Sequence, residues 1–240
     1  MKILNDIDLI KKYVKKELQE EAITKLKSGY PVQYIIGNVD FYDCIIDVNE
    51  PVLIPRFETE YLVQKTIKLI KDKGFIKPKI LDIGTGSGCI AIALKKNIDS
   101  DITAIDISND AINLANKNAI KNNVDINFLC VDFESYETDE KFDIIISNPP
   151  YVPFNSVVDE KTKYEPQNAI FAKDNGLYFY KTILKKSKKL LKKKNIIAFE
   201  IGDKQGKKIT ELAQGYYPKS KINFSTDYNG HDRYLFIINE

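Results

Sequence analysis

The sequence predicts an α/β fold, a mostly parallel sheet with helices on both faces and an antiparallel C-terminal strand pair. Three observations carry this. From residue 79 short apolar runs alternate with segments of helical periodicity. The runs are rich in isoleucine, as strands of a covered parallel sheet are. The last two, K-I-N-F-S and R-Y-L-F-I-I-N, read as a closing antiparallel pair.

The elements come in this order. Residues 6–28 place Ile7, Ile10, Val14, Leu18, Ala22 and Leu26 at spacings of three and four, an amphipathic helix or helical pair stopped by Gly29-Tyr30-Pro31. Over 38–54, V-D-F-Y and C-I-I-D-V flank Asp43 and predict a β-hairpin. Residues 58–72 are helical, ending near Lys73-Gly74. K-I-L-D-I (79–83) is a strand, followed by a glycine turn and a helix through A-I-A-L-K-K. D-I-T-A-I-D (101–106), I-N-F-L-C-V (126–131), F-D-I-I-I-S (142–147) and N-I-I-A-F-E-I (195–201) are further strands, with helices at 110–121 and 176–193. The division is a helical segment 1–30, a hairpin linker 31–57 and the main domain 58–240.

Composition narrows the function. Hydrophobic content of 43% supports a large core, and a net charge of +2 argues against a protein built to coat nucleic acid. The lysine run at 185–194 reads as a solvated helix face over buried Ile183, Leu184, Leu190 and Leu191. No apolar stretch reaches the roughly 18–20 residues of a membrane span, and no secretory signal is evident. Three scattered cysteines fit reduced thiols in the cytoplasm. The single histidine, His231, sits in a turn sequence, so neither a metal centre nor a histidine-based triad is expected.

The chemistry gathers at strand ends. L-D-I-G-T-G-S-G (81–88) lets the backbone approach a ligand closely through Gly84, Gly86 and Gly88. A dinucleotide fingerprint would need glycine where Cys89 stands. Asp106 ends the next strand, where an acid accepts ribose hydroxyls. With the glycine turn it favours a nucleoside cofactor. Asp132 and Phe133 come after the third strand and suit an adenine amino group and ring, or equally a cap and a core aromatic. The fourth strand delivers S-N-P-P-Y (147–151). Prolines 149 and 150 stiffen the backbone, so Asn148 Oδ1 and the Pro149 carbonyl form a rigid acceptor pair able to hold both hydrogens of an –NH2 group. Tyr151 is expected as an aromatic wall beside them. An amide nitrogen is a poor nucleophile because its lone pair is delocalised. Orienting it toward a methyl donor makes positioning the main catalytic device, for which up to roughly 7–11 kcal/mol is available.

Several stretches together make the chain resemble the bacterial HemK/PrmC family, the peptide chain release factor N5-glutamine methyltransferases. They are P-V-Q-Y-I-I-G (31–37), V-L-I-P-R-F-E-T-E (52–60), I-L-D-I-G-T-G-S-G-C-I-A (80–91), S-N-P-P-Y-V (147–152), Y-E-P-Q-N-A-I (164–170), E-I-G-D-K-Q-G (200–206) and G-H-D-R (230–233). The resemblance implies a class I (Rossmann-like) methyltransferase fold that uses S-adenosyl-L-methionine and releases S-adenosyl-L-homocysteine. It implies cofactor contacts from Gly84, Thr85, Gly86, Ser87, Gly88, Asp106, Phe133 and Asn148. It implies that Asn148, Pro149, Pro150 and Tyr151 grip the glutamine of a Gly-Gly-Gln loop in a release factor, with Arg56, Glu58 and Thr59 bordering the site. No membrane or stable nucleic-acid partner is expected.

The chain departs from the family pattern in places. Only 30 residues precede P-V-Q-Y, fewer than the family's helical domain, so docking of the release factor is expected to be weaker or rearranged. Phe57 stands for a family proline, and Asp43, Ala172, Lys173 and Asn175 alter loop positions. Rival substrates are a ribosomal-protein glutamine and the adenine N6 of nucleic acid, which also presents an –NH2 group. Binding without catalysis is the remaining class.

Overall fold

The computed structural model describes residues 5–48 and 51–240. Helices α1 (Asp6–Tyr13), α2 (Gln19–Lys27) and α3 (Val32–Ile36) pack around buried Ile10, Ala22 and Val32. The 6–28 segment is therefore a helical pair. Its break at Val14, whose backbone is extended, shifts the helical phase and leaves Ile7 and Leu18 exposed. The helix at Val32–Ile36 was not expected within the linker. Gly37, at φ +87°, ends it in the left-handed conformation that glycine adopts without strain. The hairpin strands are β1 (Asn38–Phe41) and β2 (Cys44–Asp47), joined by Tyr42 and Asp43, both at positive φ. Pairing ends at Asp47, and Asn49 and Glu50 lie outside the described residues.

The main unit begins with α4 (Phe57–Asp72), β3 (Lys79–Ile83), α5 (Cys89–Asn97), β4 (Asp101–Asp106), α6 (Asn109–Lys121), β5 (Asn127–Cys130) and β6 (Phe142–Ser147). A two-residue parallel pair comes next, β7 (Val152–Pro153) with β8 (Phe171–Ala172). Then come α7 (Tyr178–Leu190), β9 (Leu191–Glu200), α8 (Gly206–Tyr216), β10 (Lys221–Thr226) and β11 (Asp232–Asn239). The sheet order is β10-β11-β9-β6-β3-β4-β5, with only the β11 pairings antiparallel. Helix α7 is shorter than expected because Leu191 turns extended and pairs with Phe142, so Lys192–Lys194 begin a strand.

Both sheet faces are covered. Ile80, Ile144, Ile146, Ile196 and Ala198 meet α4, α5 and the hairpin. Leu81, Ile145, Ile197 and Phe199 meet Tyr180, Ile183 and Leu184 of α7 and Ile209 and Ala213 of α8. Each buried isoleucine, leucine or phenylalanine among them contributes roughly 1.5–3 kcal/mol relative to exposure. After β5 the chain returns to the far side of β3 to form β6. The order reverses between β3 and β6, and a crevice opens there at the strand carboxyl ends. Among the described residues no helix is long and apolar enough to cross a membrane.

Candidate active site

The crevice is a cavity of about 340 Å³. Its floor is formed by the glycine turn after β3, Asp106 ending β4, Val131–Phe133 after β5 and Ser147–Pro150 after β6. Pro51–Leu53 from the linker close one side, and Pro166, Asn168 and Ala169 close another. Phe179 and Ile183 of α7 complete the wall.

Gly84 and Gly86 line the cavity at φ +73° and +55°, and a Cβ at either would meet no atom within 4 Å. The turn thus leaves room above it for a ligand. Gly88 differs: at φ +82° its Cβ would lie 3.0 Å from Ala115 Cβ, so it lets α5 and α6 approach. Thr85 and Ser87 are buried beneath the turn and do not line the cavity. Thr85 Oγ1 donates to Asp82 Oδ2 at 2.7 Å. Burial raises the Asp82 carboxyl to about 7. Among the described residues Asp82 Oδ1 and Ser87 Oγ are buried with no hydrogen-bond partner within normal distance. Asn118, fully buried on α6, donates to the Ser87 and Asp47 carbonyls and accepts from Asp47 N–H. It pins turn and hairpin together.

Asp106 Oδ2 accepts from Gly86 N–H and Oδ1 from Ser108 N–H, each at 2.9 Å. Burial raises its pKa, and these backbone donors oppose that. Each oxygen keeps a second lone pair for a ligand. Ser108 caps α6 through Ala111 N–H. Asp132 is exposed and holds Glu134 N–H at 2.9 Å. Phe133 lines the cavity, with Lys186 Nζ 5.2 Å from its ring centroid. Lys186 also donates to the carbonyls of Phe133, Glu134 and Tyr136 and so closes this loop. Two glycines with open space above them, a carboxylate with free acceptor sites and an aromatic wall suit a nucleoside group.

Asn148, Pro149 and Pro150 all line the cavity. Asn148 Nδ2 donates to Thr59 Oγ1 at 3.1 Å, and no donor among the described residues bonds its Oδ1. Ser147 Oγ donates to the Ile83 carbonyl at 2.7 Å, locking the end of β6 to the glycine turn.

Tyr151 is not the wall that was expected. Its ring packs into the core on the α7–α8 face, and its hydroxyl donates to Glu200 Oε1 at 3.4 Å. Gln205 Nε2 donates to its carbonyl at 3.0 Å. With two prolines fixing the backbone before it, the side chain leaves the cavity side. Arg56 and Glu58 do not line the cavity either. Arg56 Nη2 pairs with Glu165 Oε1 at 2.5 Å, and Glu165 Oε2 accepts from Ile54 N–H at 2.9 Å. Glu58 lies in the first turn of α4, and its carbonyl accepts from the Tyr234 hydroxyl at 2.9 Å. His231 lies in an exposed turn, 3.4 Å from Asp203.

One group was not singled out from the sequence. Glu200, 1% exposed at the end of β9, accepts from Thr59 Oγ1 at 2.7 Å. An acid interrupting the apolar run N-I-I-A-F-E-I was the available signal.

A family model described as methyltransferase small domain matches residues 59–174. The chain is 38% identical over 232 residues to the release factor glutamine methyltransferase of Fusobacterium nucleatum, covering 94% of this chain and 65% of that protein. It is 40% identical to the release factor glutamine methyltransferase of Streptococcus pneumoniae, covering 92% of this chain and 80% of that one. Among solved structures, the release factor-specific protein-(glutamine-N5) methyltransferase of Alicyclobacillus acidocaldarius matches with a TM-score of 0.50 at 25% identity, covering 78% of this chain and 95% of that one.

Proposed function

The chain belongs to the family of release factor glutamine methyltransferases, and from that membership we propose that it methylates the side-chain amide nitrogen (N5) of the glutamine in the Gly-Gly-Gln loop of peptide chain release factors. The observation that carries the reading is Asn148 at the switch point, tethered through Nδ2 with Oδ1 open.

Gly84, Gly86, Asp106 and Phe133 are the residues that would hold S-adenosyl-L-methionine, which supplies an electrophilic methyl group when bound. Thr85, Ser87 and Gly88 shape the turn from below. The acceptor pair, Asn148 Oδ1 and the Pro149 carbonyl, fixes both N–H bonds of the substrate amide and so orients its lone pair. Neither oxygen is basic enough to keep a proton, so the proton lost on N-methylation passes to water. Pro150 stiffens the corner, and Tyr151 anchors it from the core side. Arg56 acts through the wall that it clamps.

Incubation with labelled S-adenosyl-L-methionine and, separately, a release factor, a ribosomal protein and DNA tests this. Label is expected in the release factor, on its Gly-Gly-Gln glutamine. Label in DNA alone, or in none of the three, overturns the reading.

A further inference from the structure

We propose that Glu200 is a positioning residue that acts through Thr59 to dictate which end of the Asn148 amide faces the cavity. This rests on Asn148 being the substrate acceptor.

The supply of donors fixes the direction. The two ends of an asparagine amide are nearly equal in size, so packing alone does not choose between them. Its carbonyl end must meet the substrate –NH2, because its own –NH2 end would set donor against donor. Thr59 Oγ1 contacts both Asn148 Nδ2 (3.1 Å) and Glu200 Oε2 (2.7 Å). An ionised carboxylate only accepts, and a hydroxyl has one hydrogen. The Thr59 hydrogen is therefore spent on Glu200, and its oxygen can only accept from Asn148. The amide must then turn Nδ2 to Thr59 and Oδ1 to the cavity.

The far side of Glu200 enforces the same direction. Arg233 Nη1 donates to the Tyr151 hydroxyl at 3.4 Å, which donates on to Glu200 Oε1 at 3.4 Å. Arg233 is held by Asp227 at 3.2 Å. From Arg233 Nη1 through the Tyr151 hydroxyl, each hydrogen points toward Glu200. A protonated Glu200 could instead donate to Thr59, freeing that hydroxyl to donate to Asn148 and removing the constraint on the amide.

Several groups face this carboxylate: Glu58 and Thr59 of α4, Cys89 of α5, Tyr151 after β6, Tyr180 of α7, and Arg233 and Tyr234 of β11. Burial raises the Glu200 carboxyl to about 7, opposed by the Thr59 hydrogen bond and by Arg233. Turnover is then expected to fall as pH drops through this range.

The test combines kinetics with a measurement on the protein alone. Glu200→Gln and Thr59→Val should each lower kcat by about tenfold or more while cofactor affinity stays within about threefold. Thr59→Ser should recover most of what Thr59→Val loses, and Glu200→Gln should abolish the acid limb of the kcat profile. In ¹⁵N-labelled protein, the Asn148 side-chain amide signals, identified by their loss in Asn148→Ala, should titrate with a midpoint near the Glu200 value of about 7. They should stop titrating in Glu200→Gln. Wild-type-like kcat in folded Glu200→Gln, or Asn148 signals blind to this titration, would overturn the proposal. The spectroscopic arm needs no substrate. Titrating Asn148 signals with no methylation of any release factor would support the relay and defeat only the substrate reading.

Discussion

Arg56→Met, paired with Glu165→Gln, separates a wall-clamping arginine from one that touches substrate. The two residues are 109 positions apart and join the linker to the loop at Pro166–Ala169, two walls of the cavity. Glu165 is 2% exposed and Arg56 36% exposed. An exposed ion pair contributes at most about 1 kcal/mol, whereas breaking a fully buried one costs about 3–5 kcal/mol. This pair lies between, because water can replace Arg56 only from one side and Ile54 N–H remains on the carboxylate. We expect Arg56→Met to cost about 2 kcal/mol in urea unfolding, with a Tm loss of about 4–8 °C for a chain of this size. The double-mutant cycle should show a coupling of about 1–2 kcal/mol, and cofactor affinity should weaken by about threefold to tenfold. A coupling below about 0.3 kcal/mol would refute the clamp. So would a variant of unchanged stability whose only defect is a raised KM for the release factor, which would return Arg56 to direct substrate contact.

Asn148→Ala should lower kcat by about a hundredfold or more while cofactor affinity stays within about tenfold; near-normal turnover would contradict the acceptor role. Asp106→Ala should weaken cofactor binding by at least about tenfold in calorimetry, through the lost acceptor and the released Gly86 N–H. Gly88→Ala should cost about 2–4 kcal/mol, combining left-handed strain with a contact at 3.0 Å to Ala115, whereas Gly84→Ala, at φ +73° in open space, should cost only the strain of about 1–2 kcal/mol and also impair binding. Asp82 and Glu200 both have folded values raised to about 7, so between about pH 4 and that value the folded state holds protons that the unfolded chain has released. Stability should therefore fall as pH rises through this window, by about 1.4 kcal/mol per unit of displacement, and a denaturation midpoint that rises instead would contradict it.

The sheet was legible wherever a run is buried on both faces. Strands 79–83, 101–106 and 142–147 occupy the residues that the sequence indicates. Their apolar runs are dense; Gly84 comes directly after the first, and Asn148 followed by Pro149 after the last. The helix at Val32–Ile36 was not legible, because V-Q-Y-I-I has strand propensity and becomes helical only by packing on Ile10 and Ala22. At the site, the glycine turn, Asp106 and Asn148 were placed by their strand ends. Of the side chains that hold Asn148, Thr59 is indicated only through the family motif, and Glu200 is not singled out. Thr59 and Glu200 are 141 residues apart, and nothing local to either segment announces the pairing. Tyr151 was placed on the wrong side for a related reason. Position in a loop does not fix side-chain direction, and the acceptor that draws its hydroxyl away lies at the end of β9.

Neutral acceptors and a buried carboxylate divide the work at this site. Asn148 Oδ1 and a proline carbonyl do not titrate, so the surface offered to the substrate amide keeps its charge at every physiological pH. A carboxylate in the same place would bind the –NH2 group more strongly. It would also be stripped of water on substrate entry and would shift toward its protonated form, which offers a donor where an acceptor is needed. Asparagine avoids this but is reversible end for end. Something acceptor-only must then stand behind it, and Glu200 does so one hydroxyl away, where sheet, α4 and α7 shield it whether or not substrate is present. The same burial that raises its pKa makes the protein more stable with Glu200 protonated, while the amide is fixed only with Glu200 ionised. Arg233 and the two donors at Thr59 and Tyr151 pull toward the ionised state, so the form that fixes the amide is sustained by groups that never touch the substrate.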